Sequence, residues 1–198
     1  MQDNMVLENE LFYCEHILAS DTNRQAIQNF SVKKKTGIGL VRYLQNYAIA
    51  DEEAGEMRTY LVKDKATEEI VGYFSLKAGM ISINENGSFF RREFDCVAGI
   101  ELANFAVNNA YKESHKDYEG LGKIIFYYFI LPIVKDVSRQ VGVKMIFIFA
   151  LPYANLIEYY KALHFERLSS SDEYFIHKRI KPRYDMNCVF MCQPVPEK

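Results

Sequence analysis

Apolar and polar positions follow each other along this chain in patterns that change period several times. Residues 11–17 (LFYCEHI) are apolar and aromatic enough for a first strand, and the DTNRQAIQNF that follows offers Asp21 as a helix N-cap. Beyond Lys33, Lys34 and Lys35, the residues Leu40, Tyr43, Leu44 and Tyr47 fall at helical spacing and predict a second amphipathic helix. RTYLVKD (58–64) and IVGYFSLKA (70–78) are rich in β-branched and aromatic residues and flank the polar KATEE, the pattern of an antiparallel hairpin. NENGSFFRREFDC (84–96) has no clean period and is expected as a loop or insertion.

From residue 99 the pattern sharpens. GIELANFAVN (99–108) predicts a strand, 109–119 a polar connection, and Gly120-Leu121-Gly122 the start of a helix that reaches about Gln140. VKMIFIFAL (143–151) is a near-continuous apolar run of strand length, expected to be covered on both faces, central, and parallel to its predecessor. ANLIEYYKAL (154–163) returns to helical spacing, HFERL gives a short strand, and DMNCVFMCQ (185–193) gives the last one. The sum is one domain over residues 1–198 with a mixed α/β fold: a central, mostly antiparallel sheet with one parallel βαβ crossover, flanked by helices. The helix after Leu121 is apolar almost all round through Val134, which leaves two readings: burial on most sides, or a partner interface such as a homodimer. Pro132 removes one backbone hydrogen bond from it, so a kink is expected between Tyr128 and Pro132.

Composition narrows the class. With 198 residues and 49% hydrophobic, the chain can bury a core without disulfides. Cys14, Cys96, Cys188 and Cys192 are accordingly read as reduced thiols, and the lack of a basic segment leading into an apolar run at the start points to the cytoplasm. The longest apolar stretch, 124–134, falls far short of the ~20 residues a membrane span needs. Lys plus Arg number 24 against 26 Asp plus Glu, which argues against a surface that coats nucleic acid generally. A local basic patch stays open: Lys33, Lys34 and Lys35 together with HKRIKPR (177–183) form either an RNA-facing surface or two solvated loops. The histidines His16, His115, His164 and His177 are scattered and the Cys188/Cys192 spacing does not match a zinc motif, so no metal site is expected.

Two glycines between a strand and a helix gather backbone N–H groups at the positive end of the helix dipole. That arrangement suits a phosphate, and equally a plain tight turn. The context of Gly120 and Gly122 adds to it. The order of elements, GIELANFAV, DYEGLG (117–122) and EYYKALHF (158–165) together resemble the GNAT superfamily of acetyl-CoA-dependent N-acetyltransferases over roughly residues 58–193. The resemblance implies acetyl-CoA as cosubstrate, held between the family's fourth and fifth strands. Phe105, Ala106 and Val107 match the bulged stretch whose backbone pairs with the pantetheine arm. Asp117, Tyr118, Glu119, Gly120, Leu121 and Gly122 fall on the pyrophosphate pattern Arg/Gln-x-x-Gly-x-Gly/Ala. The glycines fit that pattern and Asp117 does not. Asp117 and Glu119 bring acid toward a polyanion, and Lys112, Lys116 and Lys123 stand ready to offset it, Lys123 within the binding set.

For amine acetylation the resemblance implies Glu101 as general base, against the plainer reading of an outward strand carboxylate. It implies Tyr160 as the acid that protonates the coenzyme A sulfur, against the plainer reading of a core tyrosine. Asn155 is expected to help hold the cosubstrate's arm. His164 stands where the family usually has glycine, which predicts either a turn that takes positive φ with His or a slightly altered turn. The leading function is transfer of acetyl to a primary amine, small molecule or peptide, by direct attack in a ternary complex. Two alternatives stand beside it. The span from Gly122 to Gly142 followed by VKMIFIFA resembles the toxin-type subgroup that acetylates aminoacyl-tRNA, and the acidic loop fits a non-catalytic module binding acyl-CoA or a partner.

Overall fold

A computed structural model describes residues 7–84, 94–180 and 187–196. Eight strands make the sheet: β1 (Leu7–Glu8), β2 (Phe12–His16), β3 (Arg58–Asp64), β4 (Ile70–Asn84), β5 (Phe94–Val107), β6 (Met145–Ala150), β7 (Glu166–Arg167) and β8 (Val189–Pro194). Their order is β1-β2-β3-β4-β5-β6-β8-β7. β1/β2, β2/β3, β3/β4, β6/β8 and β7/β8 pair antiparallel, and β5/β6 pairs parallel. The expected mostly antiparallel sheet with one parallel crossover is therefore present. Helices α1 (Asn23–Ala26), α2 (Ile38–Asn46) and α3 (Ala48–Glu53) fill the connection from β2 to β3. α4 (Asn109–Ser114), α5 (Leu121–Ile125) and α6 (Leu131–Gln140) make the crossover, and α7 (Ala154–Lys161) and α8 (Ser170–Arg179) follow β6 and β7.

The chain divides into two compact units, Met1–Lys77 with Ala103–Ile133, and Ala78–Leu102 with Val134–Lys198. In the first, Ile17, Ile27, Tyr43, Leu44, Leu61 and Tyr73 belong to one buried cluster, in which α2 contributes Tyr43 and Leu44 at adjacent positions of its apolar stripe. Tyr47 leaves that expected stripe: the helix breaks there at φ −124° and restarts at Ala48, so its ring is 58% exposed. α3 is tied down by Glu52, which accepts the Thr59 N–H at 2.6 Å and meets Arg58 at 3.2 Å and His16 at 3.6 Å. Burial alone would push that carboxyl up, but His16, the Thr59 amide and Arg58 outweigh it and hold it below the usual range. In the second unit, Ile81, Phe147, Ile176 and Phe190 form the buried centre, with β6 carrying three consecutive buried residues as a strand covered on both faces must.

Several expectations are corrected. Asp21 is not an N-cap; α1 begins after Thr22, itself helical, with no side chain capping it. β4 runs through Asn84 and β5 starts at Phe94, so both ends of the expected loop are strand; 85–93 lie outside the described residues. The polar connection 109–119 contains α4, and 170–179 contains α8, so His177 and Lys178 belong to a helix and not a loop; 181–183 lie outside the described residues. The irregularity expected at Pro132 is a π-turn over Phe126–Ile130, where the Leu131 N–H donates to the Phe126 carbonyl five residues back. The wider turn shifts the carbonyl that a proline ring would otherwise strike. The helix is buried on most sides, with Leu121, Ile125, Phe126, Phe129, Ile130 and Val134 inside, while Tyr127 and Tyr128 face outward, the latter 59% exposed. Among the described residues the cysteines form no disulfide, no helix is long and apolar enough to cross a membrane, and no group of three His, Cys, Asp or Glu could hold a metal.

Candidate functional site

The expected site residues divide between the units: Phe105, Ala106, Val107 and the 117–123 loop belong to the first, Glu101, Asn155 and Tyr160 to the second. In the first unit β5 alternates, with Asn104, Ala106 and Asn108 buried and Ala103, Phe105 and Val107 half-buried. Asn108 ends the strand. Its Nδ2 donates to the Ile70 carbonyl at 2.8 Å, while its Oδ1 accepts the N–H groups of Ser31 and Ala110, both at 3.2 Å, capping α4. No sequence motif pointed to this residue, although Asn ahead of a short helical stretch is a recognisable N-cap signal.

Gly72 of β4 determines how α5 approaches the sheet. A Cβ there would lie 2.5 Å from Ile125 Cδ1 and 2.8 Å from the Ala106 carbonyl oxygen, so only glycine lets the helix after the loop rest directly on the strand beside β5. The loop then turns at Gly120, whose φ of 68° is left-handed. Lys123 and Ile124 donate their N–H groups to the Gly120 carbonyl at 2.8 and 3.1 Å. The Leu121 and Gly122 amides stand ahead of those bonds, at the positive end of a helix continuous to Gln140. A Cβ at Gly120 would meet nothing within 4 Å, so an anion can approach the backbone there. Asp117 and Glu119 are exposed, as are Lys112, Lys116 and Lys123.

In the second unit the β5/β6 ladder runs Gly99↔Met145, Ile100↔Ile146 and Glu101↔Phe147. Glu101 is half-buried at the last rung. Tyr160 lies in the last full turn of α7, which closes in a Schellman motif: His164 donates to the Lys161 carbonyl at 2.9 Å and Phe165 to the Tyr160 carbonyl at 3.0 Å. The Phe165 ring meets the Tyr160 ring edge-on at 5.6 Å, the apolar contact that such a cap carries. His164 takes φ 68°, the first of the two turns open to it from the sequence. Tyr160 is 8% exposed, and burial pushes its phenol well above the ordinary range, so it is protonated at neutral pH. Buried Gln193 of β8 donates from Nε2 to the Leu163 carbonyl at 3.1 Å and pins this turn; nothing in the sequence singled it out. Asn155 is exposed in the first turn of α7.

Neither a family model nor a curated protein sequence matches the chain. Solved structures do. A Tyr-to-Phe mutant of KacT superposes with a TM-score of 0.65 at 15% identity, covering 94% of this chain and 96% of that one. A Tyr-to-Phe mutant of the AtaT toxin gives 0.64 at 15%, covering 93% and 89%. AtaT complexed with acetyl-methionyl-tRNAfMet gives 0.61 at 15%, covering 90% and 93%. The chain therefore has the fold of the AtaT toxin and of KacT, along almost the full length of each.

Proposed function

We propose that this chain is an acetyl-CoA-dependent N-acetyltransferase whose acceptor is the α-amine of an aminoacyl-tRNA. The observation that carries the reading is the left-handed Gly120 with open space before it at the head of a helix, on the fold of AtaT. In this reading acetyl-CoA supplies an activated acyl group, and the chain grips it through main-chain atoms. The Leu121 and Gly122 amides take the pyrophosphate with Lys123 beside them, residues 105–107 pair with the pantetheine arm, and Asn155 steadies that arm. Glu101 takes the proton from the attacking amine, directly or through water. As the C–N bond forms and the C–S bond breaks, Tyr160 gives its phenolic proton to the departing sulfur. The raised pKa of Tyr160 suits that role, because it keeps the phenol protonated until a stronger base appears. The exposed Lys33, Lys34, Lys35, Lys112 and Lys116 give the first unit cations for an RNA backbone.

Calorimetric titration of ligand-stripped protein with acetyl-CoA is the first test, with saturable one-to-one binding expected. Radiolabelled acetyl-CoA incubated with charged and uncharged tRNA, and with a panel of small and peptide amines, then assigns the acceptor. Label on charged tRNA alone is expected. Label on free amines would restore the small-molecule or peptide reading, and binding without transfer to any acceptor would favour the non-catalytic module.

A further inference from the structure

The phosphate loop lacks the Arg or Gln that its motif calls for at its head, and the exposed Asp117 there offers a polyanion nothing. Any affinity at this loop has to come from main-chain amides, and amides bind well only when the loop is already in the binding shape. The residue after Asp117 supplies what is missing. Tyr118 is half-buried, its ring edge-on to Phe12 at 5.7 Å and parallel to Tyr111 at 6.4 Å, with planes 15° apart. Tyr111 is fully buried, packs edge-on against Phe12 at 6.4 Å, and stacks on His115 at 4.1 Å. Its hydroxyl donates to Asp64 Oδ2 at 2.5 Å, and Asp64 Oδ1 in turn accepts the Ala66 and Thr67 amides at 2.7 and 3.2 Å. One chain of contacts thus runs from the β3–β4 turn through α4 to the residue two places before Gly120.

We infer that the Asp64–Tyr111–Tyr118 stack, closed by Phe12, is the positioning device of the phosphate loop, holding its amides in binding geometry where the family relies on a charged side chain. The inference rests on the acetyl-CoA reading above. Tyr118 is a positioning residue that touches no reacting atom. Releasing it returns the 117–120 backbone to several conformations, and reordering it on binding weakens acetyl-CoA by about 10- to 100-fold in Kd.

The test is calorimetry with acetyl-CoA on the full chain and on Tyr118→Ala and Tyr118→Phe, with the melting temperature of each. Tyr118→Ala is expected to lose affinity by that factor. Tyr118→Phe keeps the ring and is expected to restore it, and in turnover the loss should fall on KM for acetyl-CoA and not on kcat. If Tyr118→Ala melts below the assay temperature, Tyr118→Leu keeps the apolar volume without the stacking ring and should show the same loss. Unchanged affinity in Ala and Leu variants of a chain that itself binds acetyl-CoA would overturn the inference alone. No binding by the unaltered chain would overturn the acetyl-CoA reading, and the inference with it.

Discussion

Gly120 and His164 share a left-handed φ, 68° in each, at opposite ends of two helices. Gly120 opens α5 and His164 closes α7, yet one position is glycine and the other carries a ring. At His164 the requirement is conformational only. The turn needs a left-handed residue so that Phe165 can bond back to Tyr160, and the Schellman bonds with the Phe165–Tyr160 contact offset the cost of a side chain there. At Gly120 the same φ faces open space and two first-turn amides. A side chain there would be strained and, in the proposed reading, would also stand where the anion must come, so that reading puts a double demand on the position. An equal φ therefore does not mean equal tolerance: what lies in front of the backbone decides.

Substitution at Gly120 sharpens the contrast most. Gly120→Glu adds left-handed strain, bulk before the amides and a negative charge beside a polyanion. Acetyl-CoA affinity should fall by ~10³-fold or below detection, since these penalties sum to several kcal/mol. Calorimetry checks the affinity and circular dichroism checks that the fold persists. Retained affinity would separate the loop from cosubstrate binding altogether.

Tyr160→Phe comes next and acts at the other end of the comparison. The ring that the α7 cap requires is kept and only the phenol is lost, so the cap should survive while kcat falls by ~10- to 10³-fold with little change in acetyl-CoA affinity. Unchanged turnover would leave Tyr160 as a core residue whose business is the Schellman contact with Phe165.

The sequence made the two ends of this comparison unequally visible. Gly120 stood out because glycine between a strand and a helix serves either a tight turn or the close approach of an anion, and both require the same backbone. The positive φ at His164 was readable only because EYYKALHF resembled a motif with glycine there. The central strand was plain because MIFIFA has no polar position to place on a solvent face. α8 was not visible: Tyr174, Phe175 and Ile176 are consecutive, so its apolar residues form no stripe, and beside the buried Ile176 it is held by Glu173, which accepts the Phe190 amide at 3.1 Å and pairs with Arg167 at 2.8 Å. α4 was hidden for the same reason at shorter range, being six mostly polar residues with one buried tyrosine. Gln193, Asn108 and the Tyr111–Asp64 bond depend on partners 30 to 47 residues away, which no local pattern encodes.

Gly72 tests whether the loop's helix must lie flat on the sheet for Gly120 to be placed. Gly72→Ala puts a methyl 2.5 Å from Ile125 Cδ1, which can yield, and 2.8 Å from the Ala106 carbonyl oxygen, which is backbone and yields less. Overpacking of this kind costs about 1–3 kcal/mol, so the melting temperature should drop by roughly 2–12 °C. A shift confined to stability would show that α5 re-seats without disturbing the loop. A parallel loss of acetyl-CoA affinity would tie the height of the helix to the geometry of its first amides.

His164→Gly is the smallest effect and the cleanest converse. Removing the side chain relieves a left-handed cost of about 1–2 kcal/mol, partly offset by the ~0.5–1 kcal/mol that glycine adds through unfolded-state entropy. The net is a gain of up to roughly 1.5 kcal/mol, or up to about 6 °C in Tm for a chain of this size. The Schellman bonds are made by the backbone and stay, as does the Phe165 ring on Tyr160, so turnover should not change. A stability gain without a kinetic effect would place His164 as a purely conformational residue. A loss of turnover would instead mean that its exposed imidazole contacts the acceptor, and that the two left-handed positions share a functional demand after all.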